Sequence, residues 1–506
     1  MVDQTLKNVL AGFHDLQAKI KSYEEAIALM EWDLRTGAPK KGVEGRSEVI
    51  GQLSAEMFRL TVSGEMGGYL DRLAEPETNA GLTEIDRRAV AELKREYSYN
   101  KKIPPEKYQA YVVLKAQAES VWEDAKRNSD FAAFKPYLEK IVAMKQEFVE
   151  LWGYEGNKYN TLLDMYEPGM TVAELDRVFQ TVREKTVPLV SAIKDARDKP
   201  DTAFLRKPYD KAKQREFCLF IMKQMGFDFT AGRLDESVHP FATGLNPGDV
   251  RITTHFKPQD ITFALFGTIH ETGHALYEQN ISPNLRGTVL SAGASMGIHE
   301  SQSRFWENMI GASLPFWRRY FGDLQKLFPE QLSGVSVEQF YRAVNAATPS
   351  LIRIEADELT YNLHIMVRYE LEKALINGEL QVADLPAAWN AKYTEYLGVT
   401  PQNDAEGVLQ DVHWSGGDFG YFPSYALGNM YAAQIMHTLR KAIPDLDTLV
   451  EQGNLMPIKE WLTLHIYQYG KLQKPAEIIR NVTGEGLDAR YLTDYLERKF
   501  KHIYRL

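Results

Sequence analysis

Apolar positions recur at helical spacing through most of the chain. In residues 134–153, FKPYLEKIVAMKQEFVELWG, the side chains Phe134, Leu138, Ile141, Val142, Phe148 and Val149 fall on one face, with Lys and Glu on the other. The same pattern predicts a succession of helices from residue 1 to about 150. Start signals recur further on. Thr171 with Glu174 three residues later reads as a capping box, with Met170 and Leu175 as its hydrophobic staple. Ser336 and Gln339 repeat the device. At the end of the chain Leu487, Tyr491, Leu492, Tyr495, Leu496 and Phe500 share one face, which predicts an amphipathic closing helix.

Two stretches break the pattern. Residues 194–216 are charged, carry two prolines and show little periodicity, which predicts a long surface connection. From Gly226 to Phe256 the chain is rich in Gly, Pro and turn residues and includes a short alternating piece, Val250 to Thr254, which predicts a small β ribbon. A helix follows directly, from an N-cap at Asp260 to about Gln279. A second ribbon or loop around Asn284–Gly293 then leads to a helix carrying Ile298 to Arg304. Pro349 is expected to open a helix through LIRIEADELTYNLHIMVRYELEKAL, Gly407–Gly420 reads as a loop, and the stretch from Tyr421 resumes as helix. With no internal repeat and almost no other strand signal, the fold class is mainly α.

Composition narrows the function. The formal charge is −10, from 59 basic and 69 acidic residues. That balance argues against a nucleic-acid partner, which needs a basic face. Cys218 is the single cysteine, so neither an intrachain disulfide nor a cysteine zinc knuckle can form, and its apolar neighbours predict a buried thiol. The first residues lack the charge-then-apolar layout of a signal peptide, and no apolar run has the length of a membrane span. The expectation is a soluble, cytoplasmic protein with no membrane partner, in which the sequon at Asn481 is incidental.

The candidate chemistry sits in the helix after the ribbon. His270-Glu271-Thr272-Gly273-His274 places two histidines at i and i+4, one above the other, where both can hold one metal ion. Glu271 then stands beside the metal as a candidate general base. The structural alternative is an ordinary helix with two partly buried histidines. Against it, Ala264, Leu265, Ile269, Ala275 and Leu276 make the helix apolar on most sides, and two His and a Glu in such a helix are costly to bury without partners. Gly273, poor in a helix interior, suggests that a backbone or a substrate passes close by. A catalytic zinc takes three protein ligands and leaves one position open. The metzincin pattern is excluded, because Tyr277 and Asn280 stand where it requires Gly and His. Glu300, on the next predicted helix, is the first candidate for third ligand and Glu307 the reserve.

Substrate groups are less constrained. Arg353, Asp357 and Tyr361 recur at i, i+4 and i+8; they form either a buried ion pair between helices or a row in which Arg353 grips a carboxylate. Arg251 on the ribbon is a second candidate arginine, and His239, in His239-Pro240-Phe241, is either a turn residue or a substrate group. His413, with Tyr421 and Tyr425 behind it across a glycine-rich loop, is a candidate donor to an oxyanion.

Taken together, HETGH followed by HESQS, preceded by HPF and DVRIT and followed by IRIEAD and GVLQDVHW, resembles the carboxypeptidase Taq family of zinc metallocarboxypeptidases. The likeness covers nearly the whole chain; LMEWDLRTGAPKKGVEGRSEVIGQLS resembles that family's helical lid region, departing at Gly37-Ala38-Pro39. The resemblance implies a two-lobed or saddle-shaped helical fold with a deep groove. It also implies one catalytic unit over 1–506 (1–225 as the N-terminal lobe and lid, 226–506 as the metal-site lobe), a homodimer, and release of single C-terminal residues from peptides with broad specificity. By position it implies His270, His274 and Glu300 as ligands of Zn2+, with Co2+ or Mn2+ as substitutes, and Glu271 as the base. His239, Arg251, Arg353 and His413 would line the groove. A zinc endopeptidase or dipeptidyl carboxypeptidase with a similar groove, an aminopeptidase, and a non-catalytic helical peptide-binding scaffold are the alternatives. Arg353 and Arg251 favour the C-terminal end, because catching an N-terminal ammonium needs acidic groups.

Overall fold

A computed structural model describes residues 4–506. Helices dominate it, as the periodicity predicts, and the caps read from sequence form. Asp260 Oδ1 accepts from Thr262 N at 2.9 Å and Phe263 N at 3.3 Å and starts the helix Ile261–Gln279. The Thr171 hydroxyl accepts from Glu174 N at 3.2 Å, with Met170 and Leu175 both buried, but Glu174 returns no bond to the Thr171 N–H, so only half of that box forms; Ser336 with Gln339 makes both halves of its own. The C-terminal helix, Arg490–Tyr504, buries Leu492, Leu496 and Phe500.

One hydrophobic core reaches from Ala89 to Tyr504. A smaller cluster holds the first helices together through Phe13, Leu16, Ile20, Met66 and Leu70. A third cluster joins Cys218, Met222, Val250 and Ile252 to Ala264 and Ala275 on the helix that carries His270-Glu271-Thr272-Gly273-His274, the HExxH helix. Cys218 is 2 % exposed, and burial pushes its thiol up to about 12, so it is the structural thiol expected.

The β ribbon is a three-stranded mixed sheet. Strand β1 (Gly232–Glu236) runs parallel to β3 (Asp249–Thr254), and β2 (Phe241–Asn246) pairs antiparallel with β3, in the order β1-β3-β2. Val250 and Ile252, both fully buried, point from the central strand into the cluster under the HExxH helix. The long first helix, Gln4–Thr36, lies against β2: Trp32 meets Phe241 edge-on at 5.3 Å, and Asn246 donates to Glu25 at 2.9 Å.

Three expectations change. The connection at 194–216 is only partly a surface segment. Phe204, Leu205 and Tyr209 are buried, and a helix already starts at Lys211 behind an Asp210 cap. Around residues 284–293 there is a short 3-10 turn, Pro283–Leu285, followed by loop, and no second ribbon. The helix expected from Pro349 begins only at Tyr361, and Arg353 lies in a 3-10 turn, Arg353–Glu355. Asp357 is the cause: its carboxylate accepts from the backbone N–H of Thr348, Leu359 and Thr360 at 3.0 Å each, so these donors are withdrawn from a helical ladder. Arg353, Asp357 and Tyr361 therefore do not form a row on one helix.

Close backbone contacts set the helices around the HExxH segment. A Cβ on Gly273 would stand 2.6 Å from the carbonyl oxygen of Gln302, in the helix Met296–Arg304, which is the close approach its glycine suggested. That same helix packs on Pro423–Ala442, where a Cβ on Gly428 would stand 2.5 Å from Glu300 Cγ. Its N-terminus is held by Glu167, buried, which accepts from Gly297 N at 3.1 Å and Tyr431 Oη at 2.8 Å.

Gly428→Ala is expected to destabilise the fold by about 1–3 kcal/mol through overpacking; thermal unfolding measures it, and an unchanged Tm would contradict the close approach. Burial raises the Glu167 carboxyl to about 7 from 4.5. A raised folded pKa means that its contribution is fully present below about 4.5 and lost as pH rises through about 7. Glu167→Gln should therefore flatten the fall in stability across that window in denaturant titrations.

Candidate active site

Helical geometry alone puts His270 and His274 on one face, and the packing of the next helix brings a carboxylate to them. Glu300 Oε2 lies 3.7 Å from His270 Nε2 and 3.5 Å from His274 Nε2. One ligand atom from each of the three residues lies within 4.8 Å of the other two. Donors about 3.4 Å apart are what a tetrahedral ion with bonds of about 2.1 Å requires, so two imidazoles and a carboxylate fit a divalent cation of the zinc type. Glu300 is 6 % exposed. Burial raises its carboxyl, but Arg304, His270 and His274 outweigh this and hold it well below the usual carboxylate range. Arg304 donates from Nε to Glu300 Oε1 at 2.7 Å and stacks over Tyr361 at 4.6 Å.

Glu307, the reserve ligand, has a different place. Its Oε2 is 2.8 Å from His270 Nδ1, the ring nitrogen that faces away from Glu300, and 3.2 Å from Arg304 Nη1. It stands behind His270 and is not one of the three groups that converge. Glu307 belongs to a π-helical segment, Phe305–Gly311, that continues the Met296–Arg304 helix and was not anticipated from sequence.

His274 is supported by a longer chain that sequence reasoning missed. Its Nδ1 lies 2.6 Å from Nδ1 of His299, whose Nε2 lies 2.8 Å from Glu278 Oε1. With His274 Nε2 offered to a cation, the tautomers follow: His274 Nδ1–H donates to His299 Nδ1, and His299 Nε2–H donates to Glu278. The signal was the His before Glu300, together with a Glu four residues after His274.

A cavity of about 680 Å³ opens over this cluster. His270, Glu271, His274, Glu278, His299 and Glu300 form one wall; Tyr166, Pro240, Phe241, Tyr421 and Tyr425 are among the others. Burial raises Glu271 to about 7, so the carboxyl beside the first histidine is poised between its protonated and ionised forms near neutral pH. Tyr421 and Tyr425 stand with ring centroids 5.2 Å apart, and His413 lies 5.5 Å from the Tyr421 ring. His413 is driven down to about 4 by burial and is therefore neutral, and its buried Nδ1 has no hydrogen-bond partner among the described residues.

The remaining expected residues lie outside the cavity lining. His239 is exposed, with Pro240 and Phe241 after it turning into the cavity wall. Arg251 forms a bidentate pair with Asp249 at 2.8 and 2.7 Å and lies 5.8 Å over Trp32, away from the lining. Arg353 is 5 % exposed and sits directly behind Tyr425, 5.1 Å from its ring, bonded to Asp411 and to Tyr361 Oη.

A mainly helical fold with a His-His-Glu cluster on the wall of a cavity is the arrangement a metallopeptidase needs. The chain belongs to the family described as carboxypeptidase Taq (M32) metallopeptidase, whose profile matches residues 12–500. It is therefore a metallocarboxypeptidase, acting on peptides and using a divalent metal. It is 52% identical to carboxypeptidase 1 of Bacillus subtilis (strain 168) over 494 residues, 98% of each chain. It is 40% identical to thermostable carboxypeptidase 1 of Thermus thermophilus, over 94% of this chain and 95% of that one. Among solved structures, the M32 carboxypeptidase from Deinococcus radiodurans R1 superposes with a TM-score of 0.96 at 36% identity, covering 99% of this chain and 100% of that one. Among the described residues no helix is long and apolar enough to cross a membrane.

His299→Phe and Glu278→Gln are each expected to weaken metal binding roughly 10- to 100-fold, as loss of an outer partner of a ligand histidine does. Chelator competition followed by metal analysis measures this, and unchanged affinity in both variants would remove the relay from the site.

Proposed function

We propose that the enzyme releases single C-terminal amino acids from peptides, with broad specificity, using Zn2+ held by His270, His274 and Glu300. The observation that carries this reading is the convergence of the three donors on one point of the cavity wall, with Glu271 beside them. Co2+ and Mn2+ are the expected substitutes. When bound, the cation supplies Lewis-acid activation of the attacking water and of the scissile carbonyl.

The residues divide the remaining work. Glu271, on the cavity wall, takes a proton from the attacking water and delivers it to the leaving amine nitrogen, and a carboxyl near neutrality suits both transfers. Glu307 and the His299–Glu278 pair keep the ligand rings turned toward the cation. Tyr421 and Tyr425, both on the wall, and His413 behind them are donors for the developing oxyanion. Arg353 meets the substrate's terminal carboxylate, supported by its burial beside Tyr425 and by its charge; Arg251 and His239 act further out, beyond the lining. Residues 1–506 act as one catalytic unit, 1–225 as lobe and lid and 226–506 as the metal-site lobe, in a cytoplasmic homodimer.

Glu271→Gln is expected to retain the metal and to lose about 10²-fold or more in kcat. Incubation of one free-acid peptide with the parent enzyme should give a ladder of single-residue losses from the C-terminus, while its amidated form is cleaved far more slowly. Equal cleavage of the amide, or internal fragments, would reject the exopeptidase reading; full activity of the Glu271 variant would reject the base.

A further inference from the structure

Behind Tyr425 lies a buried cluster in which two arginines share one carboxylate. Asp411 Oδ1 accepts from Arg353 Nε at 3.0 Å and Nη2 at 2.8 Å, while Oδ2 accepts from Arg368 Nε at 2.6 Å. Arg368 Nη2 reaches the same Oδ2 at 2.5 Å. The side chains of Arg353, Arg368 and Asp411 are 6%, 0% and 8% exposed. His413, two residues beyond Asp411, is neutral, driven down by burial, and burial holds the Tyr393 phenol in its neutral form. The cluster therefore carries one positive charge that no buried anion among the described residues answers. Lys126, which donates to Gln410 O at 2.8 Å, adds to the same sign.

The two guanidinium groups are used differently. Arg368 donates four hydrogen bonds, to Asp411 Oδ2, Gln410 Oε1 at 2.8 Å, His364 O at 2.8 Å and Tyr393 Oη at 3.1 Å, and its Nη2 also lies in ion-pair contact with Asp411. Its face is covered as well, by Trp389 at 4.6 Å and Phe422 at 5.4 Å. Arg353 spends three of its five on Asp411 and Tyr361 Oη, which leaves two without an acceptor among the described residues. Gln410 ties the two together, because its Oε1 accepts from both Arg368 Nη2 and the backbone N–H of Arg353, at 2.8 and 2.9 Å.

From this we infer that Arg368 is a positioning residue for carboxylate binding: it neutralises Asp411, so that the charge of Arg353 and its two spare N–H groups remain available to the C-terminal carboxylate of the substrate. With Arg353 and Asp411 alone, the pair would be closed and neutral, and Asp411 would repel an incoming carboxylate through a low-dielectric interior. The assignment rests on the role proposed for Arg353 above. It extends that role to a side chain that is fully buried and never touches the substrate.

The test compares an N-blocked dipeptide free acid as substrate with its C-terminal amide as competitive inhibitor, so that Ki(amide)/KM(acid) reports preference for the carboxylate. Arg368→Met should reduce this ratio about tenfold or more while kcat changes less than about threefold. Arg368→Met combined with Asp411→Asn removes one charge of each sign and leaves an acceptor for Arg353, so it should restore the ratio to within about threefold of the parent. A structural role alone predicts that the double variant is at least as impaired as the single. Arg353→Met separates the two readings: an unchanged ratio there rejects the carboxylate role itself, whereas a lost ratio there with an unaffected folded Arg368→Met rejects only the inference. If Arg368→Met does not fold by circular dichroism, the double variant and Arg368→Lys decide, since both keep the net charge and should keep the ratio; loss of it in a folded double variant overturns the assignment.

Discussion

Everything near the cation site depends on carrying the carboxylate of Glu300 out of water and setting it against two imidazoles that belong to another helix. A buried carboxylate is tolerated only when cations or donors surround it. Arg304 supplies the fixed positive charge, and His270 and His274 add to it. Position matters as much as charge. Glu300 reaches the histidines because the helix bearing it touches the HExxH helix at Gly273, and it is kept there because Gly428 lets a third helix close on its side chain. Two missing Cβ atoms thus fix the distance between donors on two different helices.

The surrounding carboxylates divide between facing the two histidines and standing behind them. Glu307 stands behind His270 directly and Glu278 behind His274 through His299. Glu271 has no such duty. Burial without a fixed cationic partner leaves it near neutrality, whereas Arg304 keeps Glu300 ionised. Two glutamates in one cavity wall are thereby driven toward opposite protonation behaviour, the division of labour that a proton-transferring base and an anionic ligand require.

What could be read from the sequence was what is encoded locally. The caps at Asp260 and Ser336 involve neighbours two or three residues away, and they formed as read. The pentapeptide carries its own geometry, since i and i+4 share a face. The helix start before Tyr361 misled because the apolar residues of 351–359 imitate helical spacing, while Asp357 captures backbone donors on both sides of itself. His299 and Glu278 are 21 residues apart, and Arg368 and Asp411 are 43 apart. No periodicity links such pairs; they meet only once helices have packed. The arginine of IRIEAD was visible as chemistry, but its partner Asp411 and its companion Arg368 were not.

The π-helical turn at Phe305–Gly311 bears on how this chain can vary. An α-helix turns by roughly 100° per residue, so deleting any one residue between Arg304 and Glu307 would swing the carboxylate by that angle and carry it off His270. The wider turn looks dispensable, and regularising it would be the simplest way to build a more conventional helix. Length here is therefore constrained as tightly as residue identity: six of the seven residues are buried, and the segment cannot lose one without parting the first histidine from its support.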